Sequence, residues 1–210
     1  MASVGPEGAA PLEELNAGEA TRARPAATAI VLRDSSSGPE VLLVQRNPEA
    51  RFMGGAWVFP GGAVQPGDAD PSAAARRELE EEAGLSLGVD HGLVPFSRWI
   101  TPLEVKVRFD TFFFLAAAPP GTGGHPDGGE TVDLRWLRPV RALQAGRRGE
   151  LTLVFPTIKH LEQLAEITSV ADGLERARAR RVEPVLPRVV GEGDEVRVIL
   201  PGERGYEAAR

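Results

Sequence analysis

The chain contains no cysteine, which excludes disulfides, a thiol nucleophile and cysteine-ligated metals. Lysine is nearly absent: only Lys106 and Lys159 occur, and arginine carries the rest of the basic charge. No apolar run is long enough to cross a membrane. The amino terminus lacks the basic-then-apolar pattern of a secretion signal, so a cytoplasmic location without a membrane partner is expected. A basic surplus is missing too. The net charge of −6 argues against broad nucleic-acid binding. An acidic protein that acts on an anion therefore needs local help from metal ions and placed arginines. The histidines are few, and His91, His125 and His160 are scattered without metal-ligand spacing.

The 210 residues, 42% of them hydrophobic, suit one domain with extensions. Residues 1–24, rich in Ala, Glu, Gly and Pro, read as a flexible leader. Residues 25–181 read as the folded domain with helices at its C-terminal end, and 182–210 as a Pro-rich tail with a short strand over 195–200. Strands are expected over 27–33, 41–46, 57–59, 94–101, 105–117 and 131–137. Helices are expected over 139–145, 157–167 and 170–181.

The most informative segment runs from Gly61 to Leu85. Asp70-Pro71 is a helix start, since Asp caps free amides and Pro suits the first helical position. Good helix formers continue to Ala83, and Gly84 can end the helix in a left-handed conformation. At roughly 100° per residue, Glu78, Glu81 and Glu82 share about a third of the circumference. Ala75, Leu79 and Ala83 form the adjoining apolar stripe. The helix can thus pack on a sheet while aiming three carboxylates at one point. Just upstream, Phe59-Pro60-Gly61-Gly62 has no side chains at its glycines to keep the backbone from an ion. Oxygen ligands at this density suit Mg²⁺ (or Mn²⁺ as a substitute) bridged to a phosphate.

Gly62, Arg77, Glu78, Leu79, Glu81, Glu82, Gly84 and Leu85 stand at the spacing of the Nudix signature, which the chain therefore resembles. Asp68 replaces the first Glu of that signature, and the gap from Asp68 to Arg77 is one residue longer. The resemblance implies an α/β/α sandwich with a mixed β-sheet, here with a C-terminal helical extension. It implies metal held by Glu78, Glu81, Glu82 and the backbone of Gly61, with Arg77 orienting Glu78. The general base is then either Glu78 or a loop acid, for which Glu130 after Gly128-Gly129 is the candidate. The lack of cysteine argues against a Nudix-fold isoprenoid isomerase.

Leu42, Leu43, Arg46, Arg51, Gly55 and Phe59 through Gly62 are similar to the signature of the coenzyme A diphosphatase branch, with Val44 and Asn47 as departures. Further similarity to its mammalian peroxisomal members lies in Arg108-Phe109-Asp110-Thr111, Gly129 to Asp133 with Trp136, and Phe155-Pro156-Thr157. This implies a bacterial relative that splits coenzyme A or acyl-coenzyme A into 3′-phosphoadenosine 5′-phosphate and a phosphopantetheine. Arg46, Arg51, Gly62 and Arg108 would bind substrate; arginine's planar fork matches phosphate oxygens. Trp57 and Trp136 are core residues or adenine platforms. The alternatives are a Nudix pyrophosphatase for ADP-ribose, NADH or another nucleoside diphosphate derivative, and a non-catalytic nucleotide-binding regulatory domain.

Overall fold

The computed structural model describes residues 14–16, 19–88, 92–191 and 196–208. The first thirteen residues of the expected leader, His91 and the start of the expected tail strand lie outside the described residues. Two long strands open the fold, β1 (Arg24–Ser35) and β2 (Gly38–Arg46). Short strands β3 (Trp57–Val58) and β4 (Gly61–Ala63) precede helix α1 (Pro71–Ala83). Next come β5 (Val94–Ile100), β6 (Phe109–Ala117) and β7 (Thr131–Leu137). Helices α2 (Pro139–Arg147), α3 (Phe155–Leu164) and α4 (Val170–Ala179) follow. The chain closes with β8 (Pro184–Val185), β9 (Arg188–Val190) and β10 (Arg197–Ile199).

The mixed main sheet runs in the order β3-β2-β1-β6-β5-β8, with β4 also pairing β1 and β7 also pairing β2. Strands β1 and β6 are parallel at its centre. Both are buried on two faces, which accounts for the aromatic density of β6. Alternation divides the core in two. Ala27, Ala29, Val31, Leu42, Val44, Phe114 and Ala116 face α1 through Ala74, Ala75, Leu79 and Ala83. Ile30, Leu32, Val41, Leu43, Phe113 and Leu115 face α2, α3 and α4 through Ala142, Leu143, Leu161, Leu164, Val170 and Ala177. The result is the expected α/β/α sandwich.

Helix α1 begins and ends where the sequence predicts. Asp70 accepts the Ala73 amide at 2.9 Å. Gly84 has φ 61°, and its amide bonds the Glu80 carbonyl at 3.0 Å. The three small alanines let the helix lie close to the sheet.

Described residues near each end of the chain pair with the rest of the fold. The segment before β1 pairs with the β5–β6 loop: Lys106 donates its amide to Glu14 at 2.9 Å, and Leu15 bridges Val105. The strand expected from Val105 therefore starts only at Phe109. In the tail, β8 extends the main sheet beside β5, and β9 pairs with β10 as a separate hairpin.

Candidate active site

Strand β4 lays the glycine turn alongside β1, with Gly61 opposite Thr28 and Gly62 opposite Ala27. This brings the turn against the carboxylate face of α1. A Cβ on Gly62 would lie 2.5 Å from Glu78 Oε1, and one on Gly61 would lie 2.7 Å from the Ala27 carbonyl. Gly61 needs to be glycine because the β1 backbone comes too close for any side chain, and a side chain at Gly62 would displace the Glu78 carboxylate. The backbone group seen meeting a carboxylate is an amide: Gly61 N–H donates to Glu82 Oε2 at 2.9 Å.

Glu82 is 3% exposed. Burial pushes its carboxyl up to about 7; the Gly61 amide and Arg46 oppose that rise, and the charges of Glu78 and Glu130 add to it. Arg46 Nη1 stands 3.9 Å from Glu82 Oε1, while its Nε donates to the Phe52 carbonyl at 3.3 Å. Glu78 is also buried, and desolvation raises its carboxyl against the pull of Arg77.

Arg77 is the hub of a second cluster. Its guanidinium grips Asp68 with two bonds of 3.1 and 3.0 Å. It also reaches Glu78 Oε1 at 2.7 Å, Glu81 Oε2 at 2.8 Å and the Ala63 carbonyl at 3.1 Å. Hydrogen bonding to Asp68 above all raises its pKa, and the same contact lowers that of Asp68. The longer gap before Arg77 does not separate the two. Gln65 donates to Asp68 Oδ2 at 2.7 Å, folding the extra residue into a turn.

The three glutamates do not meet at one point. Among the described residues, no three His, Asp or Glu side chains converge as a ready metal-ligand group. Glu81, with its side chain 56% exposed, is captured by Arg77 one helical turn earlier. Glu78 and Glu82 turn inward instead. They are buried carboxylates one turn apart, and the charge of Glu78 adds to the rise in the Glu82 pKa. Buried carboxylates are hard oxygen donors that fit Mg²⁺ or Mn²⁺, and Glu81 would join on exchanging Arg77 for the ion.

Glu130 reaches this site from the loop before β7, where its charge acts on both Glu78 and Glu82. Sequence reasoning missed what shapes that loop. Asp127 accepts the amides of Gly129, Glu130 and Thr131 at 3.1, 3.0 and 2.7 Å. Burial acts to raise the Asp127 pKa, but these bonds outweigh it and lower it. Thr131 Oγ1 then ties the loop to the Glu82 carbonyl at 2.6 Å. The Asp127-Gly128-Gly129 turn signature was the available signal.

The expected substrate arginines separate. Arg51 is exposed and makes no hydrogen bond or ion pair among the described residues. Arg108 is 8% exposed, and its guanidinium is taken up by the carbonyls of Thr21, Thr101 and Pro102. It fastens the segment before β1 to the β5–β6 loop and is not brought to the site. Trp57 is core, beneath the Arg135 guanidinium. Trp136 lies under Arg33 and donates to the Gly123 carbonyl at 2.8 Å.

His160 lies on the other face of the sheet, packed among Phe59, Phe96, Trp99 and Phe113. Its Nε2 meets Ser97 Oγ at 2.6 Å, and Nδ1 has no aligned partner. Burial drives its pKa down to about 3. The folded protein thus refuses a proton that the unfolded chain accepts below about 6.5, and stability falls as pH drops from there towards 3. The loss is at most about 5 kcal/mol across that window. A Ser97→Ala/His160→Leu variant should show a flatter melting temperature over acid pH than the parent. An equal slope in both would refute this role.

The site thus combines a buried carboxylate pair docked on a glycine turn with Arg46, Arg77 and the Glu130 loop. The chain belongs to the Nudix family, whose NUDIX domain model matches residues 22–154. A probable nudix hydrolase of Schizosaccharomyces pombe is 43% identical over 107 residues, which are 50% of this chain and 36% of that protein. An uncharacterized Nudix hydrolase NudL of Citrobacter koseri is 33% identical over 134 residues, 62% of this chain and 65% of that one. The chain thus spans between about a third and two thirds of these relatives. The crystal structure of a NUDIX hydrolase from Alicyclobacillus acidocaldarius superposes with a TM-score of 0.68 at 28% identity, covering 74% of this chain and 96% of that one. Helices α3 and α4 lie beyond the matched domain. No helix among the described residues is long and apolar enough to cross a membrane.

Proposed function

We propose that the protein hydrolyses the phosphoanhydride of a nucleoside diphosphate derivative, with coenzyme A or an acyl-coenzyme A as the favoured substrate. The observation that carries this reading is the burial of Glu78 and Glu82 against Gly61 and Gly62. Arg77 and the Gly61 amide offset only part of the desolvation, since both carboxyls are still raised, and two carboxylates buried side by side are costly in a structure that does not use them. Nudix hydrolases are generally dependent on a divalent metal. Glu78, Glu82 and, once released from Arg77, Glu81 would hold the ion beside the Gly61 turn. Bound there, Mg²⁺ or Mn²⁺ supplies charge neutralisation for the diphosphate and acidity for a water.

The chain's own residues do the rest. Arg77 holds the Glu78 carboxylate in place. Glu130 takes a proton from the attacking water as its oxygen bonds to phosphorus. The bridging P–O bond breaks, and its electron pair leaves with the departing phosphate. Arg46 and Arg51 receive phosphate oxygens, and Arg51 has its whole guanidinium free for them among the described residues.

The coenzyme A reading rests on the spacing of Arg46, Arg51 and Gly55 before the turn. Coenzyme A carries a 3′-phosphate that ADP-ribose and NADH lack. The pure protein with Mg²⁺ should therefore cleave coenzyme A in preference to dephospho-coenzyme A, ADP-ribose and NADH, as read by product masses. Preference for ADP-ribose or NADH would keep the hydrolase and reject the coenzyme A assignment. Binding without turnover of any of them would favour a regulatory domain.

A further inference from the structure

We infer that Asn47 is a positioning residue that locks the Glu130 loop to the arginine loop; this rests on the reading of Glu130 as the proton acceptor. Asn47 follows β2 directly and begins the loop that carries Arg51. Its backbone amide donates to the Glu130 carbonyl at 2.8 Å. Its side-chain Nδ2 donates to the adjacent Gly129 carbonyl, also at 2.8 Å. Its Oδ1 accepts the Glu49 amide at 3.0 Å, turning the chain towards Arg51. Only one orientation of the amide satisfies both side-chain bonds, because the Gly129 carbonyl requires a donor and the Glu49 amide an acceptor.

The geometry gives this bridge its meaning. The Glu130 loop is fixed on one side by Asp127 and from below by Thr131 on the Glu82 carbonyl. Asn47 supplies the remaining side. Glu130 itself is exposed, and on such a loop only backbone anchors hold its carboxylate towards Glu78 and Glu82. One carboxamide thus sets the distance between the group that receives a proton and the arginines that receive phosphate.

The test is a double-mutant cycle of Asn47→Ala and Glu130→Gln on the full chain with Mg²⁺. Coenzyme A and ADP-ribose are the two substrates. Glu130→Gln should lower kcat by about a hundredfold, as loss of a general base does. Asn47→Ala should lower kcat by about tenfold with a smaller change in KM and an unchanged melting temperature, as a misplaced group does. In the Glu130→Gln background the Asn47→Ala effect on kcat should largely vanish, because the proton acceptor is gone and only the arginine loop, read in KM, is left to position. Asn47→Asp keeps the Glu49 turn but sets an oxygen against the Gly129 carbonyl, and it should be at least as impaired as Asn47→Ala. An equal Asn47→Ala loss in both backgrounds overturns the positioning role and leaves Glu130 standing. Full kcat in Glu130→Gln overturns the proton-acceptor reading, and the positioning role with it.

Discussion

Glu82→Gln should lower kcat by on the order of a thousandfold while making the metal-free protein more stable at neutral pH. Both effects have one cause. Glu82 is 3% exposed, and burial pushes its carboxyl from 4.5 up to about 7. The unfolded chain releases that proton near 4.5, whereas the metal-free fold keeps it until about 7. Between those values the fold binds more protons than the unfolded chain, so stability falls as pH rises and stays lower above the window. The difference of about 2.5 pH units corresponds to at most about 3 kcal/mol. Glutamine keeps an acceptor for the Gly61 amide and has no charge to bury. Melting in a chelator at about pH 5 and about pH 8 checks this, because the gain should appear only at the higher value. Equal melting temperatures of the two proteins at both values, or retained activity, would refute it. The same linkage makes metal binding to the parent tighten with pH up to about 7, since ion and proton compete for one carboxylate.

Arg77→Ala should cost about 3 kcal/mol of stability and reduce kcat by on the order of a hundredfold. One guanidinium serves Asp68, Glu78, Glu81 and the Ala63 carbonyl. Its removal leaves three carboxylates without their shared cation, and those of Asp68 and Glu78 are largely shielded from water. Arg77→Lys should restore little, because a single ammonium cannot replace a planar fork that grips Asp68 with two bonds. Thermal melting and kcat measured together on both variants decide this. A lysine variant that matches the parent in both would show that Arg77 acts only as a charge.

Much of this was legible because it is local. Asp70, Pro71 and Gly84 mark the limits of α1 through capping and a positive φ, both properties of a few adjacent residues. The apolar stripe of Ala75, Leu79 and Ala83 foretold which face meets the sheet. What failed to show was set at a distance. Arg108 reads as a substrate arginine, yet the segment before β1 folds over it and its charge is satisfied by carbonyls. Glu81 shares the helix face of Glu82, but Arg77 competes for it at a spacing that the helix itself dictates. Asn47 and Thr131 join a strand end, a loop and a helix that are remote in sequence. Only the pairing of β2 with β7 brings them together.

On the proposed function, water attacks a phosphoanhydride at the Glu78–Glu82 site. Turnover of coenzyme A and ADP-ribose in ¹⁸O-labelled water, by the parent and by Glu82→Gln, tests it most directly. The expected result is one ¹⁸O in one phosphate product for each bond cleaved, dependent on Mg²⁺ and lost in the variant. Undiminished labelled product from Glu82→Gln, or no labelled product from the parent on either substrate, would contradict it.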